Sequence, residues 1–238
     1  MKSLKNNHAI LDLTYSIYCL SFFVLIFAID LCNVSGSVFG ILSVVFILSM
    51  AIWPLFSEGL NGIYASWKKY YLIIIAILFC AFAESAKLIP MVKDYWPAFF
   101  FVTHILIVIF LLKKQKIALN HTLILLLILL IPIIFYIAIF SQINNNNDIR
   151  YTIAIPLYLL VLSLSLWAGF VSLAKSNHNL LIIFGILLFN ISDYIVIYTI
   201  VNSNVPSGLE YIVWLTYLLS IWCISCVGKN PIKFLFPN

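Results

Sequence analysis

Eight predominantly apolar runs, each about as long as a helix that crosses a bilayer, constrain this chain more than any other feature. A hydrocarbon core of about 30 Å takes roughly 20 helical residues, and the runs fall at about 11–31, 36–56, 70–89, 95–112, 120–140, 151–174, 179–201 and 209–227. Segments surrounded by lipid must satisfy their backbone N–H and C=O groups internally, so each run is read as a helix. The expected fold is all-α, a polytopic membrane protein of eight transmembrane helices in a single domain over residues 1–238. Charge agrees: 9% of the residues are charged and the mean hydropathy is +1.13, whereas soluble domains carry about 25% charged residues. Disorder, a collagenous repeat and a disulfide-stapled secreted module are excluded, because apolar residues dominate and the five Cys are scattered through apolar runs.

The breaks between runs have physical causes. Asn33 to Ser37 reads as a short polar turn, Ser57 to Lys69 holds Glu58, Gly59, Asn61 and Gly62, and Pro90 to Pro97 combines two prolines with Lys93 and Asp94. The amide patch from Asn144 to Asn147 belongs in water, since lipid satisfies neither amide side chains nor irregular backbone. Counting cations on alternate sides places Lys2, Lys5, Lys68, Lys69, Lys113, Lys114, Lys116, Lys175, Lys229 and Lys233 together. Lys87, Lys93 and Arg150 fall opposite, and ten plus three accounts for all 13. Both termini are therefore expected on the cytoplasmic side of the cell (inner) membrane. The net charge of +5 is spent on these flanks, so nucleic acid is not an expected partner. The opening Met1-Lys2-Ser3-Leu4-Lys5 resembles the start of a secretory signal. Its apolar run ends Ile29-Asp30-Leu31-Cys32 without the small residues of a cleavage site, and it is read as an uncleaved helix.

Ionisable side chains inside the spans are the place to look for function, because each costs about 2.5–3.5 kcal/mol even on the lenient insertion scale. Glu84 lies in the third span, His104 in the fourth and Asp193 in the seventh, while Asp12, Asp30, Glu58 and Glu210 sit at span ends. Glu84 is 14 residues from Tyr70 and Asp193 is 14 from Asn179; at 1.5 Å per residue both lie about 21 Å from the cytoplasmic edge. Two carboxylates at matching depth suit one cavity. Lys87, three positions after Glu84, offers that carboxylate a purely structural ion pair, whereas Asp193 has no cation near it in sequence. Ser192 reads as a hydroxyl ligand or a packing residue, and His104 as a functional group or a hydrogen bond to a neighbouring helix.

Other patterns carry less. Cys223 and Cys226 form a C-x-x-C inside an apolar helix with no second pair nearby, which is not a zinc or redox site. Gly36 and Gly40 are a helix-packing pair, and Asn190-Ile191-Ser192 matches a glycosylation acceptor only formally. No phosphate-binding glycine loop, no G-x-S-x-G and no H-E-x-x-H occurs, and no metal or cofactor is expected.

The segment Gly185-Ile-Leu-Leu-Phe-Asn-Ile-Ser192-Asp193 resembles the G-x-L-x-F-x-x-S-D motif of the lysoplasmalogenase (YhhN-like) membrane family. Four further stretches match in order. Phe79-Cys-Ala-Phe-Ala83-Glu84 is similar to that family's F-S-x-x-G-D, Phe101-Val-Thr103-His104 to its F-x-x-T/A-H, Ile155-Pro-Leu-Tyr158 with Trp167-Ala168 to its V-x-x-Y helix, and Leu215-Thr216-Tyr217 to its last-helix T-Y. The resemblance covers about residues 50–227 and suits eight helices. There are two departures: Ala83-Glu84 replaces Gly-Asp, lengthening the acid by one methylene, and Trp53-Pro54 stands where the family has Lys-Pro.

The resemblance implies hydrolysis of the vinyl ether bond of lysoplasmalogens to a fatty aldehyde and a glycerophospho head, with a lysophospholipid as substrate and membrane lipids as surroundings. Such a bond breaks when its carbon is protonated and water adds to the resulting oxocarbenium ion. One carboxylic acid donates the proton while a second carboxylate stabilises the cation or deprotonates water, much as in glycosidase pairs. Glu84 and Asp193 are read as that pair, with His104, Tyr158, Ser192 and Tyr217 in binding or supporting roles. Two other readings stay open. A proton-coupled transporter also uses intramembrane carboxylates, and Ile77-Leu78 before Ala83-Glu84 echoes Ile186-Leu187 before Ser192-Asp193 as a trace of an internal repeat. A non-catalytic lipid-binding protein of the same family would account for the missing lysine.

Overall fold

The computed structural model describes residues 14–15, 17–22, 24–25, 28, 36–56, 63–113, 115, 117, 119–145, 149–173, 180–202, 205–206 and 208–227. The expected polar turn at 33–37 lies mostly outside these residues, as do positions 57–62, Asp12, Asp30, Glu58 and the pair 146–147. Described residues from 14 to 28 are helical and form α1. Then come α2 (Gly36–Ile52) with a 3-10 turn at Trp53–Phe56, α3 (Ile63–Lys87), a second 3-10 turn at Lys93–Tyr95, and α4 (Trp96–Leu112). They are followed by α5 (Leu119–Asn145), α6 (Ile149–Leu173), α7 (Leu180–Val201) and α8 (Leu209–Ser225).

These are the eight expected helices. Among the described residues six are long and apolar enough to cross a membrane, and α8 is a shorter apolar helix. Two ends differ most from the sequence expectation. Helix α3 starts at Ile63 rather than near 70, and α5 runs on to Asn145 rather than stopping near 140. Hydropathy marks the part of a helix that lipid covers; the extensions carry Trp67, Lys68 and Lys69 in α3 and Gln142, Asn144 and Asn145 in α5, which belong at or beyond the interface. The orientation is testable directly: reporters fused after Lys116 and after Asn146 should lie on opposite sides, and the same side for both would overturn it.

The chain divides into two compact units, residues 1–103 with 225–238, and residues 104–224. In the first, α2 packs on α3. The Tyr15 ring lies flat on the Trp53 indole, 3.6 Å between centroids and 3° between planes, and its hydroxyl meets Met50 Sδ at 2.6 Å and Ser225 Oγ at 2.8 Å. Where the family pattern has a lysine, this chain therefore builds an aromatic stack. Gly40 fits against Leu88: a Cβ there would fall 2.5 Å from Leu88 Cδ2. Thr103 Oγ1 donates to the Ala76 carbonyl at 3.2 Å and ties α4 to α3. Pro90 follows the last turn of α3 and cannot extend it.

In the second unit α6 packs against α5 and α7. Its core joins Ile139, Ile155, Leu159, Leu162, Ile197 and Val201. Trp167 Nε1 donates to the His121 carbonyl at 2.6 Å, so α6 and α5 are linked by a hydrogen bond as well as by apolar contact. Helix α5 is the least buried, 17% of its apolar window against 61% for α3, and Leu126, Leu127, Ile134 and Ile137 point outward as a lipid-facing surface. Serines inside these helices return their hydroxyls to the preceding turn, as Ser163 does to Leu159 and Ser172 to Gly169, which satisfies them without water.

Candidate functional site

Three helices of the second unit bring His104, Tyr158 and Asp193 together. All lie in apolar sequence, yet His104 is completely buried and Asp193 is 4% exposed. Such groups persist away from water only when hydrogen-bonded. His104 Nε2 is 3.0 Å from Asp193 Oδ2, and the Tyr158 hydroxyl donates to the same oxygen at 2.6 Å. The second contact is short, as befits an O–H donor on an ionisable acceptor. Both bonds fall on Oδ2. Among the described residues Oδ1 carries none.

The imidazole is fixed from its other side as well. His104 Nδ1 lies 3.0 Å from Ser165 Oγ, which Asn190 Nδ2 approaches at 3.3 Å. The ring also meets Phe189 at 4.6 Å between centroids, and Phe189 meets Tyr217 at 5.5 Å. Tyr217 thus backs the site from α8, one ring removed from His104. Ser192 turns elsewhere: its Oγ donates to the Val213 carbonyl of α8 at 3.2 Å, so it joins helices rather than touching the Asp193 carboxyl. Gly185 lets the two helices approach, since a Cβ there would lie 2.9 Å from the Ser220 carbonyl oxygen and 2.8 Å from Cys223 Cβ.

Sequence reasoning missed Ser165, Asn190 and Phe189. A signal for them was present. Ser165 is seven residues after Tyr158 and Asn190 three before Asp193, spacings that put each on the same helix face as its partner. An amide in the middle of a transmembrane run also calls for a partner in the same way as a charge does.

Glu84 belongs to the first unit, where it is 3% exposed and accepts from Lys87 Nζ at 2.8 Å. The lysine ammonium also sits 4.7 Å from the Trp96 ring centroid and 5.4 Å from that of Phe100. The ion pair foreseen from the spacing is formed, and the two rings add cation–π attraction to it. Among the described residues no three His, Cys, Asp or Glu side chains converge as a metal site. C-x-x-C residues Cys223 and Cys226 are buried thiols at the end of α8.

Neither the curated proteins nor the solved structures hold a match to this chain. The YhhN family model matches residues 38–227, from α2 to the turn after α8, a stretch that contains His104, Tyr158, Asp193 and Glu84 together. On that match, over most of its length, the chain belongs to the YhhN family.

Proposed function

We propose that the protein is a membrane hydrolase of the lysoplasmalogenase kind, cleaving the vinyl ether of a lysoplasmalogen by proton chemistry centred on Asp193. The observation that carries the reading is the convergence of the Tyr158 hydroxyl and His104 Nε2 on one buried carboxyl oxygen, with the other oxygen of that carboxyl free of hydrogen bonds among the described residues. A buried carboxyl needs hydrogen bonds whatever its role, but bonding through one oxygen alone suits an acid that gives up and regains a proton.

The reaction takes one water. The His104–Asp193 pair gives a proton to the outer carbon of the enol ether, whose electron pair forms the new C–H bond and leaves an oxocarbenium ion at the inner carbon. The pair, now one positive charge poorer, faces that cation across a short gap and stabilises it. Water adds to the inner carbon and returns a proton to the pair. The hemiacetal so formed collapses as its hydroxyl proton moves to the glycerol oxygen. The C–O bond breaks, giving the aldehyde and the free glycerophospho alcohol. Glu84 enters on sequence grounds, as the second carboxylate of the family pattern. Ser192 and Tyr217 are supporting residues, the first through α8 and the second through Phe189.

Purified protein supplied with a lysoplasmalogen should release fatty aldehyde in step with loss of the vinyl ether. No release, together with acid-dependent solute uptake by vesicles carrying the protein, would favour a proton-coupled transporter instead.

A further inference from the structure

Ser165 has one hydroxyl hydrogen and three polar neighbours. Its Oγ lies 2.8 Å from the Leu162 carbonyl, 3.0 Å from His104 Nδ1 and 3.3 Å from Asn190 Nδ2. The Asn190 amide is oriented by the Ile186 carbonyl at 2.9 Å, which only an NH₂ group can satisfy, so Asn190 brings a hydrogen to Ser165 and takes none. The Leu162 carbonyl is an acceptor. All three contacts are hydrogen bonds at once in one arrangement: Ser165 donates to Leu162 and accepts from both Asn190 and His104. His104 then carries a hydrogen on Nδ1.

That choice has a consequence on the far side of the ring. Asp193 Oδ2 already accepts the Tyr158 hydrogen, and Nε2 faces the same oxygen at 3.0 Å. Two bare lone pairs at that distance repel, so a further proton stands between Nε2 and Oδ2. We infer that Ser165 is a positioning residue that holds His104 with Nδ1 protonated and thereby keeps the His104–Asp193 pair loaded with one extra proton. Whichever atom bears that proton, the pair is neutral overall. Turning the Ser165 hydroxyl toward Nδ1 would leave Nε2–H against a carboxylate, a net negative charge in a low-dielectric interior, which is the more costly state.

The groups facing the pair fit this. From α6 come Tyr158 and Ser165, from α7 the amide of Asn190 and the ring of Phe189, and from α8 Tyr217 stands behind Phe189. Among the described residues no lysine or arginine forms an ion pair with Asp193 to balance a bare carboxylate. The use of the loaded proton as the acid for a vinyl ether rests on the proposed function; the loading itself does not. On that reading the resting site is an acid waiting for an electron-rich double bond, and the proton released by the attacking water reloads it.

The test is ¹⁵N NMR of full-length protein labelled at histidine and held in lipid nanodiscs. His104 is assigned among the four histidines by the signal lost in His104→Gln. The expected spectrum shows His104 with a hydrogen on Nδ1. Ser165→Ala should shift the balance of His104 forms about tenfold toward a hydrogen on Nε2 alone, the worth of one hydrogen bond, while Ser165→Thr, which keeps a hydroxyl, should restore it. Wild-type His104 carrying its hydrogen on Nε2 alone would overturn the inference, and so would an unchanged His104 spectrum in a folded Ser165→Ala protein. The two ideas fail separately. Aldehyde release with His104 protonated only at Nε2 removes the loaded pair and keeps the hydrolase, and a loaded pair without aldehyde release does the reverse.

Discussion

Asp193→Asn should abolish aldehyde release, a fall of about 10²–10⁴-fold, with the protein still folded in the membrane. An amide has the size of a carboxyl and keeps one oxygen for the Tyr158 hydroxyl, which needs an acceptor at 2.6 Å. His104 can still bond to that oxygen by carrying its hydrogen on Nε2, with the Ser165 hydroxyl turned from the Leu162 carbonyl to Nδ1. Shape and most of the hydrogen bonding survive, and the main loss is the capacity to hold and return a proton. Tyr158→Phe removes one bond to the same oxygen and leaves the carboxyl in place, so a smaller loss is expected, about 10-fold, the value of a single hydrogen bond. Glu84→Gln sorts the remaining roles. A loss as large as that of Asp193→Asn makes Glu84 the second carboxylate; retention of most of the rate leaves it as the partner of Lys87. Full release by both Asp193→Asn and Glu84→Gln would rule out carboxylate chemistry, measured as aldehyde formed per unit of folded protein.

Much of this site was legible because polar groups in a transmembrane run are rare and costly. Asp193, His104 and Glu84 stood out on that ground before any geometry was known, and the family resemblance added Tyr158. What could not be read was which groups meet. Equal depth put Glu84 and Asp193 together as an expectation, while the partner each takes inside its own unit needs helix facing as well as depth. In its own unit Glu84 is held by Lys87, whose ammonium also lies by two rings, while Asp193 is held by Tyr158 and His104. Ser165 and Asn190 escaped notice because hydroxyls and amides were weighed one at a time against packing. Their meaning lies in a shared oxygen with a single hydrogen to give. Helix number followed from apolar length alone, whereas the true start of α3 did not, because an interfacial helix turn with Trp67, Lys68 and Lys69 has no apolar signature.

Gly185 tests the packing that holds Asp193 in place. It lies two turns before Asp193 on α7, where an added Cβ would fall 2.8 Å from Cys223 Cβ, 2.9 Å from the Ser220 carbonyl oxygen and 3.0 Å from Ile224 Cγ1. The first two belong to the backbone of α8 or are attached directly to it, so neither can swing aside; the whole helix must move, carrying Trp214 and Tyr217 with it. Overpacking of this kind costs about 1–3 kcal/mol, and at about 2–4 °C per kcal/mol for a chain of this size Gly185→Ala should melt about 2–12 °C lower in detergent. Gly185→Val, with two more carbons at the same place, should lose more. Gly169→Ala is the matched control: its nearest neighbour would be Ile183 Cγ1 at 3.3 Å, part of a flexible side chain that can give way, and its midpoint should stay close to that of the wild type. The contrast separates close approach of two helix backbones from the general cost of altering a helical glycine, which Ala would if anything relieve. Should Gly185→Ala melt with the wild type, α7 and α8 do not touch at this point, and the support given to Phe189 by Tyr217 must come from elsewhere.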